Sequence, residues 1–512
     1  MFNLRGNGRT SGERCRQEGE PLFAAHGGTG GSLTPIAITL LVKKPNHTGE
    51  AQIYYHDIGM YLKRKEKLAR LAEYKSILSS KVELTSITPN EDGDWLNKRN
   101  EAFQNFIPIE PEKKFDEKSK SFFTTYAIGL VSNRDSWVYN YSKVELEKNV
   151  KRMVDFYNKQ VADYKLALQK NPNTKPEEII EYSASKISWT RALKNNFQKK
   201  VEYSYKQNAI EEAFYRPFCK QNLYNEKFLI EMPGLSKKLF PTPQSKNLVI
   251  SVYGLGNKKP YSTLISNCIL DLNSMDAGAQ CFPLYWYENK SDERQQTLFD
   301  SGEQDYVRHD AISDFVLQRC RTEFGYNITK EDIFYYVYGL LHSPIYKETF
   351  SADLTKMLPR IPLVKSFWEY SKAGRELAEL HLNYENQPSL PEVKISGIDK
   401  GIFDVDKIKF KDKQTKETIL YNPYITISNI PSDCYKYTVN GKSPIEWVLE
   451  RFQDSINKDT HIRNNPNDWG KENNSPKYIL NLILSLMSLS IKTLKIINNL
   501  PDIKEELNSV QP

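Results

Sequence analysis

The chain has 512 residues, enough for about three domains with several buried cores. Apolar residues make up 39% and charged residues 26%, a globular balance that excludes wholesale disorder. The net charge of +7 permits a polyanion partner without requiring one. Six scattered cysteines with no CxxC pair exclude a zinc ribbon or a disulfide scaffold and fit a reducing cytoplasm.

Residues 2–19 are charged and Gly-rich where a secretory signal would carry an apolar core. Residues 35–43 (PIAITLLVK) are apolar and β-branched, the pattern of a buried strand. AQIYYHDI at 51–58 predicts a second strand, and the amphipathic stretch after it a helix. His26–Ser32, Gly-rich without a preceding strand, reads as a flexible loop, and His56 with Asp57 as a capping or core pair. Strand-like and Gly-rich pieces at the very start read as a chain that begins inside a domain.

From 142 to 206 the pattern is helical. Val150, Met153, Val154, Tyr157 and Val161 recur at three- and four-residue spacing, which is one helix face. KNPNTKP interrupts it, and a second helical stretch is expected over 176–197. Residues 207 to about 300 carry strand and turn signals in NLVISVYG, PYSTLISNCIL and QCFPLYWYE. Helices are expected again at 310–324, 330–343, 344–358 and 364–384, punctuated by Gly and Pro. A Lys-rich, strand-like segment covers 392–440, and two helices close the chain. The apolar run from Ile479 to Leu489 is broken by Asn and Ser and is short for a bilayer, so no membrane span is expected.

Several motifs fail on inspection. Asn440-Gly441-Lys442-Ser443 ends like a phosphate-binding loop, but Lys436 stands where its first Gly must be. Asn422-Pro423-Tyr424 lacks the second Pro of an amino-methyltransferase tetrapeptide. No metal-ligating pattern and no complete catalytic set is legible, so no catalytic, cofactor-binding or metal residue is assigned.

Long blocks then point to a family. Residues 3–20 with Pro35-IAITLLVKKP resemble the late half of a gamma-type N6-adenine methyltransferase core. Ser132-NRDSWVYNYSK, Tyr215-RPFCKQNLYNEKFLIEMP, the run from Asp332 to Pro362, Gly374-RELAELHLNYE, Val439-NGKSPIEWVLERF and Ser490-IKTLKIINNLP resemble the C-terminal part of type ISP restriction-modification enzymes. The resemblance implies an α/β part, a partial Rossmann-like methyltransferase sheet over 1–141. A helical connector over 142–206 and an α+β target-recognition domain of helices and short sheets over 207–512 follow. It implies sequence-specific recognition of double-stranded DNA, serving adenine N6 methylation and restriction in phage defence. S-adenosylmethionine, ATP and Mg would serve the complete enzyme. The further partner would be an N-terminal nuclease–ATPase–methyltransferase portion, whose motifs this sequence lacks. A methyltransferase subunit of a related phage-defence system and a non-catalytic protein-binding scaffold are the rival readings.

Such a domain must hold phosphates with cations and present polar side chains to base edges. Met232–Leu270 contains Lys237, Lys238, Lys246, Lys258 and Lys259 and no Asp or Glu. The turn from Gly254 to Tyr261 is expected to present Asn257, Lys258, Lys259 and Tyr261. A solvated lysine-rich hairpin is the alternative. Arg216 and Lys220, beside Tyr215, Phe218 and Tyr224, are the next candidates, with Arg216 stacked on a neighbouring ring as the structural alternative. Tyr335, Tyr338 and His342 read as core. The cations of 143–206 suit either a DNA-flanking arm or a brace. The loop from Arg5 to Arg16 suits a DNA contact or disorder.

Overall fold

The amphipathic repeat at 143 folds as one helix, Lys143–Lys170, because Ser142 caps it by accepting from the Glu145 N–H, and Leu146, Val150, Met153, Val154, Tyr157 and Val161 all point inward. This is seen in a computed structural model describing residues 1–8, 13–23, 32–45, 48–290 and 306–509. The chain divides into two compact units, Met1–Asn100 and Glu101–Pro512. Residues 101–141, expected with the first part, instead supply strands to sheets of the larger unit. The expected loop at 26–32 lies, except for Ser32, outside the described residues, as do 9–12 of the Arg5–Arg16 loop.

The smaller unit holds a four-stranded sheet in the order Ile36–Ile38, Phe2–Arg5, Ile53–Asp57, Thr85–Ile87. The two inner strands run parallel, and helix Arg64–Tyr74 follows the second of them. Its core is small: Leu4, Leu22 and Ile58. The buried strand expected over 35–43 is only an edge strand of three residues. Leu41 and Val42 beyond it are 89% and 84% exposed. His56 is a core residue, its ring nitrogens 2.9 Å from the Glu83 carbonyl and 3.1 Å from the Tyr74 hydroxyl. Asp57 is the partner of Arg5 at 2.6 Å.

The larger unit packs helices around three four-stranded sheets among its described residues. One is ordered Leu264–Ser266, Val249–Val252, Gln280–Pro283, Ala127–Ile128, and its strand Val249–Val252 is buried at every position. The second is ordered Ile269–Leu270, Ile210–Arg216, Cys219–Tyr224, Tyr139–Asn140. The third is ordered Lys394–Ser396, Thr426–Ser428, Ile419–Leu420, Lys409–Phe410.

Helices Lys330–His342 and Phe367–Leu382 lie back to back, touching at Gly339 and Gly374. Tyr335, Tyr338 and His342 are buried there, as the aromatic stripe implied, and Ser343 both ends the first helix and caps the next, Pro344–Thr349. The helix expected over 176–197 is realised as a single 3-10 turn, Pro176–Glu178, and the helix Arg191–Gln198, capped by Thr190. Ser183, Ser185 and Ser188 precede it in irregular backbone, where serine competes with helix formation.

Tyr478–Asn498 is one unbroken helix, longer than the interrupted run read from sequence, and apolar enough to cross a membrane by length and composition. It is a core element here, with 67% of its apolar window buried and the Ser485 hydroxyl bonded to the Tyr384 carbonyl at 2.6 Å.

Sequence-distant segments seal the start of helix Lys143–Lys170. Glu472 accepts from the Ser142 hydroxyl and from the Lys143 N–H, and Asn140 donates to the Arg463 carbonyl. The two decoy motifs are turns. Asn440 and Gly441 have φ of 53° and 72° and close a tight hairpin, with the Asn440 amide donating to the Ser274 carbonyl. Asn422 accepts from the Tyr424 and Ile425 N–H groups.

Candidate nucleic-acid interface

The strands Ile210–Arg216 and Cys219–Tyr224 form a hairpin whose tight turn places Phe218 at φ 58°. At its tip Arg216 is only 11% exposed, and its guanidinium meets Asp271 at 2.7 Å and Asp135 at 3.5 Å. It also lies 3.9 Å from the centre of the Tyr215 ring, whose hydroxyl donates to Asp135. The stacked alternative thus describes Arg216, and its charge is spent inside the fold. Lys220, 15% exposed, sits between Glu212 and Glu385, each at 3.1 Å.

The Met232–Leu270 candidates do not form one presented surface. Asn257 is buried, its amide donating to the Leu354 carbonyl, so it braces the turn instead of facing outward. Tyr261 packs edge-on against Tyr253 with its hydroxyl buried. Lys259 is 3.8 Å from Asp276, and the Lys258 N–H donates to the same carboxylate. Lys237 pairs with Glu211 at 3.1 Å. Lys238 is exposed but rides over Phe115 and Trp286. Lys246 is exposed, on the loop before strand Val249–Val252.

Several cations of the 143–206 stretch are similarly engaged. Lys148, Lys151, Lys165 and Lys186 pair with Glu145, Glu147, Glu202 and Glu181, and Arg152 lies over Trp137.

What the fold does assemble is a polar cleft of about 420 Å³ beside Arg216. Its walls come from the Ser132–Ser136 segment, from Ala184 and Ser188, from Asp271 and Asn273, and from the loop of a small hairpin that brings Asn457, Asp459 and Thr460. Asn133 adopts φ 53° and starts a tight turn into the short helix Asp135–Val138, with the Ser132 hydroxyl bonded to Asp135. Arg134 is 4% exposed and donates to the Thr190 hydroxyl at 2.6 Å, while its Nε and Nη1 lack a protein partner. Burial pulls its value down to about 10, with Glu231 acting against that. The walls offer amide, hydroxyl and carboxylate groups with few apolar ones. That is the mixture of donors and acceptors that discriminates between base edges.

Sequence reasoning singled out the Ser132-NRD block only as a resemblance and passed over Asp271 and Asn457 entirely. Their link is spatial, across more than 300 residues, and no periodicity reports it.

Burial pushes the Asp271 carboxyl up to about 6, against the pull of Arg216. A carboxyl whose folded value exceeds its unfolded one holds more protons in the fold between about pH 4 and 6. The stability it adds is therefore present at low pH and is lost as pH rises through about 6. Thermal melts of wild type and Asp271→Asn across pH 4.5–7 should show wild type losing ground to the variant as pH rises. A difference flat with pH would mean that Asp271 titrates normally.

The chain matches the family model of the Type ISP C-terminal specificity domain over residues 121–482. It does not match any curated protein. Among solved structures it is similar to a nuclease-deletion mutant of the Type ISP restriction-modification enzyme LlaGI in complex with a DNA substrate mimic. That match has 36% identity and a TM-score of 0.82, covering 98% of this chain and 43% of that one. The ATP-dependent Type ISP restriction-modification enzyme LlaBIII bound to DNA is 35% identical with a TM-score of 0.83, covering 98% and 30%. A DrdV–DNA complex is 26% identical with a TM-score of 0.77, covering 98% and 47%. The chain spans less than half the length of each of these.

Proposed function

Because this chain belongs to the Type ISP restriction-modification family, we propose that it recognises a specific sequence in double-stranded DNA and positions that DNA for adenine N6 methylation and restriction. The observation that carries the reading is the similarity along 98% of the chain to two enzymes, one in complex with a DNA substrate mimic and the other bound to DNA. In this proposal the polar cleft beside Arg216 supplies base-edge hydrogen bonds, and exposed lysines, Lys246 and Lys238 among them, supply phosphate contacts.

The smaller unit is proposed to be part of a Rossmann-like methyltransferase sheet. Its parallel pair of strands with a helix after the second supports this, as does the apolar surface it exposes, with Leu40, Leu41, Val42 and Leu78 between 56% and 90% accessible. A partner carrying the rest of the methyltransferase, the ATPase and the nuclease would cover that surface. Asn440–Ser443 does not fit ATP, since Asn440 is buried and bonded into a hairpin. ATP, Mg and S-adenosylmethionine are proposed to serve the complete enzyme, in the cytoplasm, and no residue of this chain is assigned to them.

The test is selection of random-site duplexes by the purified chain at 50 and 200 mM salt, with sequencing of what stays bound. An enriched motif is expected, with affinity falling about a thousandfold between the two salts if roughly six phosphates are neutralised. A bound pool with no enriched motif would overturn the reading, and salt-independent binding would favour a protein-docking scaffold.

A further inference from the structure

The four-stranded sheet Lys394–Ser396, Thr426–Ser428, Ile419–Leu420, Lys409–Phe410 has two unlike faces. Alternation along each strand turns Ile395, Ile427, Ile419 and Phe410 toward the core, where Ile419 and Ile427 are fully buried. The opposite parity puts Lys394 and Ser396 on one edge strand, Thr426 and Ser428 beside them, then Leu420, and Lys409 on the other edge. The Lys411 N–H donates to the Thr418 carbonyl, which continues the ladder and keeps Lys411 on the same face as Lys409.

No strand residue of this sheet is acidic. Lys394, Lys409 and Lys411 are exposed. None of the three forms an ion pair with a described residue, in contrast to Lys416 in the adjoining loop, which pairs with Glu446 at 2.8 Å. Asp412, next to Lys411, turns its carboxylate to the Gln414 N–H, and Glu392 lies two residues before Lys394.

Arg216 and Lys220 of the Ile210–Tyr224 hairpin and four of the seven cations of helix Lys143–Lys170 are matched by carboxylates or rings, whereas here three lysines and three hydroxyls share one face without an ion pair to a described residue. Such a face is complementary to a polyanion. Its edge strands are three strand spacings apart, about 14 Å, and the major groove of B-form DNA is about 12 Å wide. Lys394 and the Lys409–Lys411 pair can therefore meet phosphates on opposite sides of one groove, with Ser396, Thr426 and Ser428 between them as further donors.

We propose that this outward sheet face is a second DNA-binding surface, which grips the phosphate backbone without reading sequence. The inference rests on the reading of the chain as a DNA-recognition domain. It adds a site that none of the sequence-derived candidates occupies.

The test uses the full chain with Lys394→Gln, Lys409→Gln and Lys411→Gln combined, all at exposed positions. The control is Lys148→Gln with Lys151→Gln, where both cations are ion-paired on a helix. Duplex binding is measured over a range of salt for the selected sequence and for unrelated ones. The triple variant should flatten the slope of log affinity against log salt by about 2 to 3, weaken every duplex by the same factor and leave the preferred motif unchanged. The control should match wild type. A triple variant with wild-type affinity and slope would overturn the second surface while leaving the DNA reading intact. Equal losses in the control would overturn its assignment to this sheet. Wild-type chain that binds no duplex would overturn both.

Discussion

Gly374→Val should yield a protein that is destabilised by about 3 kcal/mol or more and is recovered mostly insoluble. Helices Lys330–His342 and Phe367–Leu382 approach so closely that a Cβ on Gly374 would lie 1.8 Å from the Tyr335 carbonyl oxygen and 2.8 Å from the Gly339 nitrogen. A Cβ on Gly339 would reach the Tyr370 carbonyl at 2.2 Å. These are backbone atoms, which cannot swing aside as a flexible side-chain tip could. The two helices would have to separate, and the bonds that lock them would stretch. The Ser371 hydroxyl donates to the Asp332 carbonyl at 2.8 Å, and the Tyr338 hydroxyl meets His381 at 2.6 Å. Gly374→Ala carries the same clash with less bulk, so the two variants should rank alanine above valine in soluble yield and melting temperature. Wild-type melting for either would show that the helices do not touch at this point.

Arg216→Met should cost about 3 to 5 kcal/mol of stability, because it leaves Asp271, 2% exposed, and Asp135 without their shared cation. The measurement that matters is the comparison with DNA binding. In material that remains folded, the slope of log affinity against log salt should stay at the wild-type value, since this guanidinium is already neutralised within the protein. A slope reduced by about 1 with unchanged stability would instead make Arg216 a phosphate contact.

Local chemistry made much of the larger unit legible. The 3.6-residue repeat of Val150, Met153, Val154, Tyr157 and Val161 marked a helix that buries that face, and Ser343-Pro344 marked a helix boundary through its capping chemistry. The apolar runs at 249–252 and 280–283 became strands because β-branched and aromatic residues fit a buried pleat. Leu41 and Val42 misled, since an apolar run predicts burial only when something is present to bury it. Lys237 and Lys259 misled for another reason. Counting charge along a chain says nothing of Glu211 or Asp276, which arrive from elsewhere in sequence or space. The cleft was hidden for the same reason, as its walls come from four segments far apart in sequence. By contrast, the Lys-rich alternation near 409 was visible as a pattern, and only the sheet register reveals which side each lysine takes.

The seal on helix Lys143–Lys170 has a consequence for how the molecule is made. Its first turn is completed by a carboxylate 329 residues later in the chain. At about 5–20 residues per second of synthesis, that turn leaves the ribosome roughly 16 to 66 s before its clasp exists. During this interval the amphipathic face can already pack, since Tyr157 and Tyr164 meet Trp189, Phe197 and Phe228, so only the start of the helix waits for residue 472.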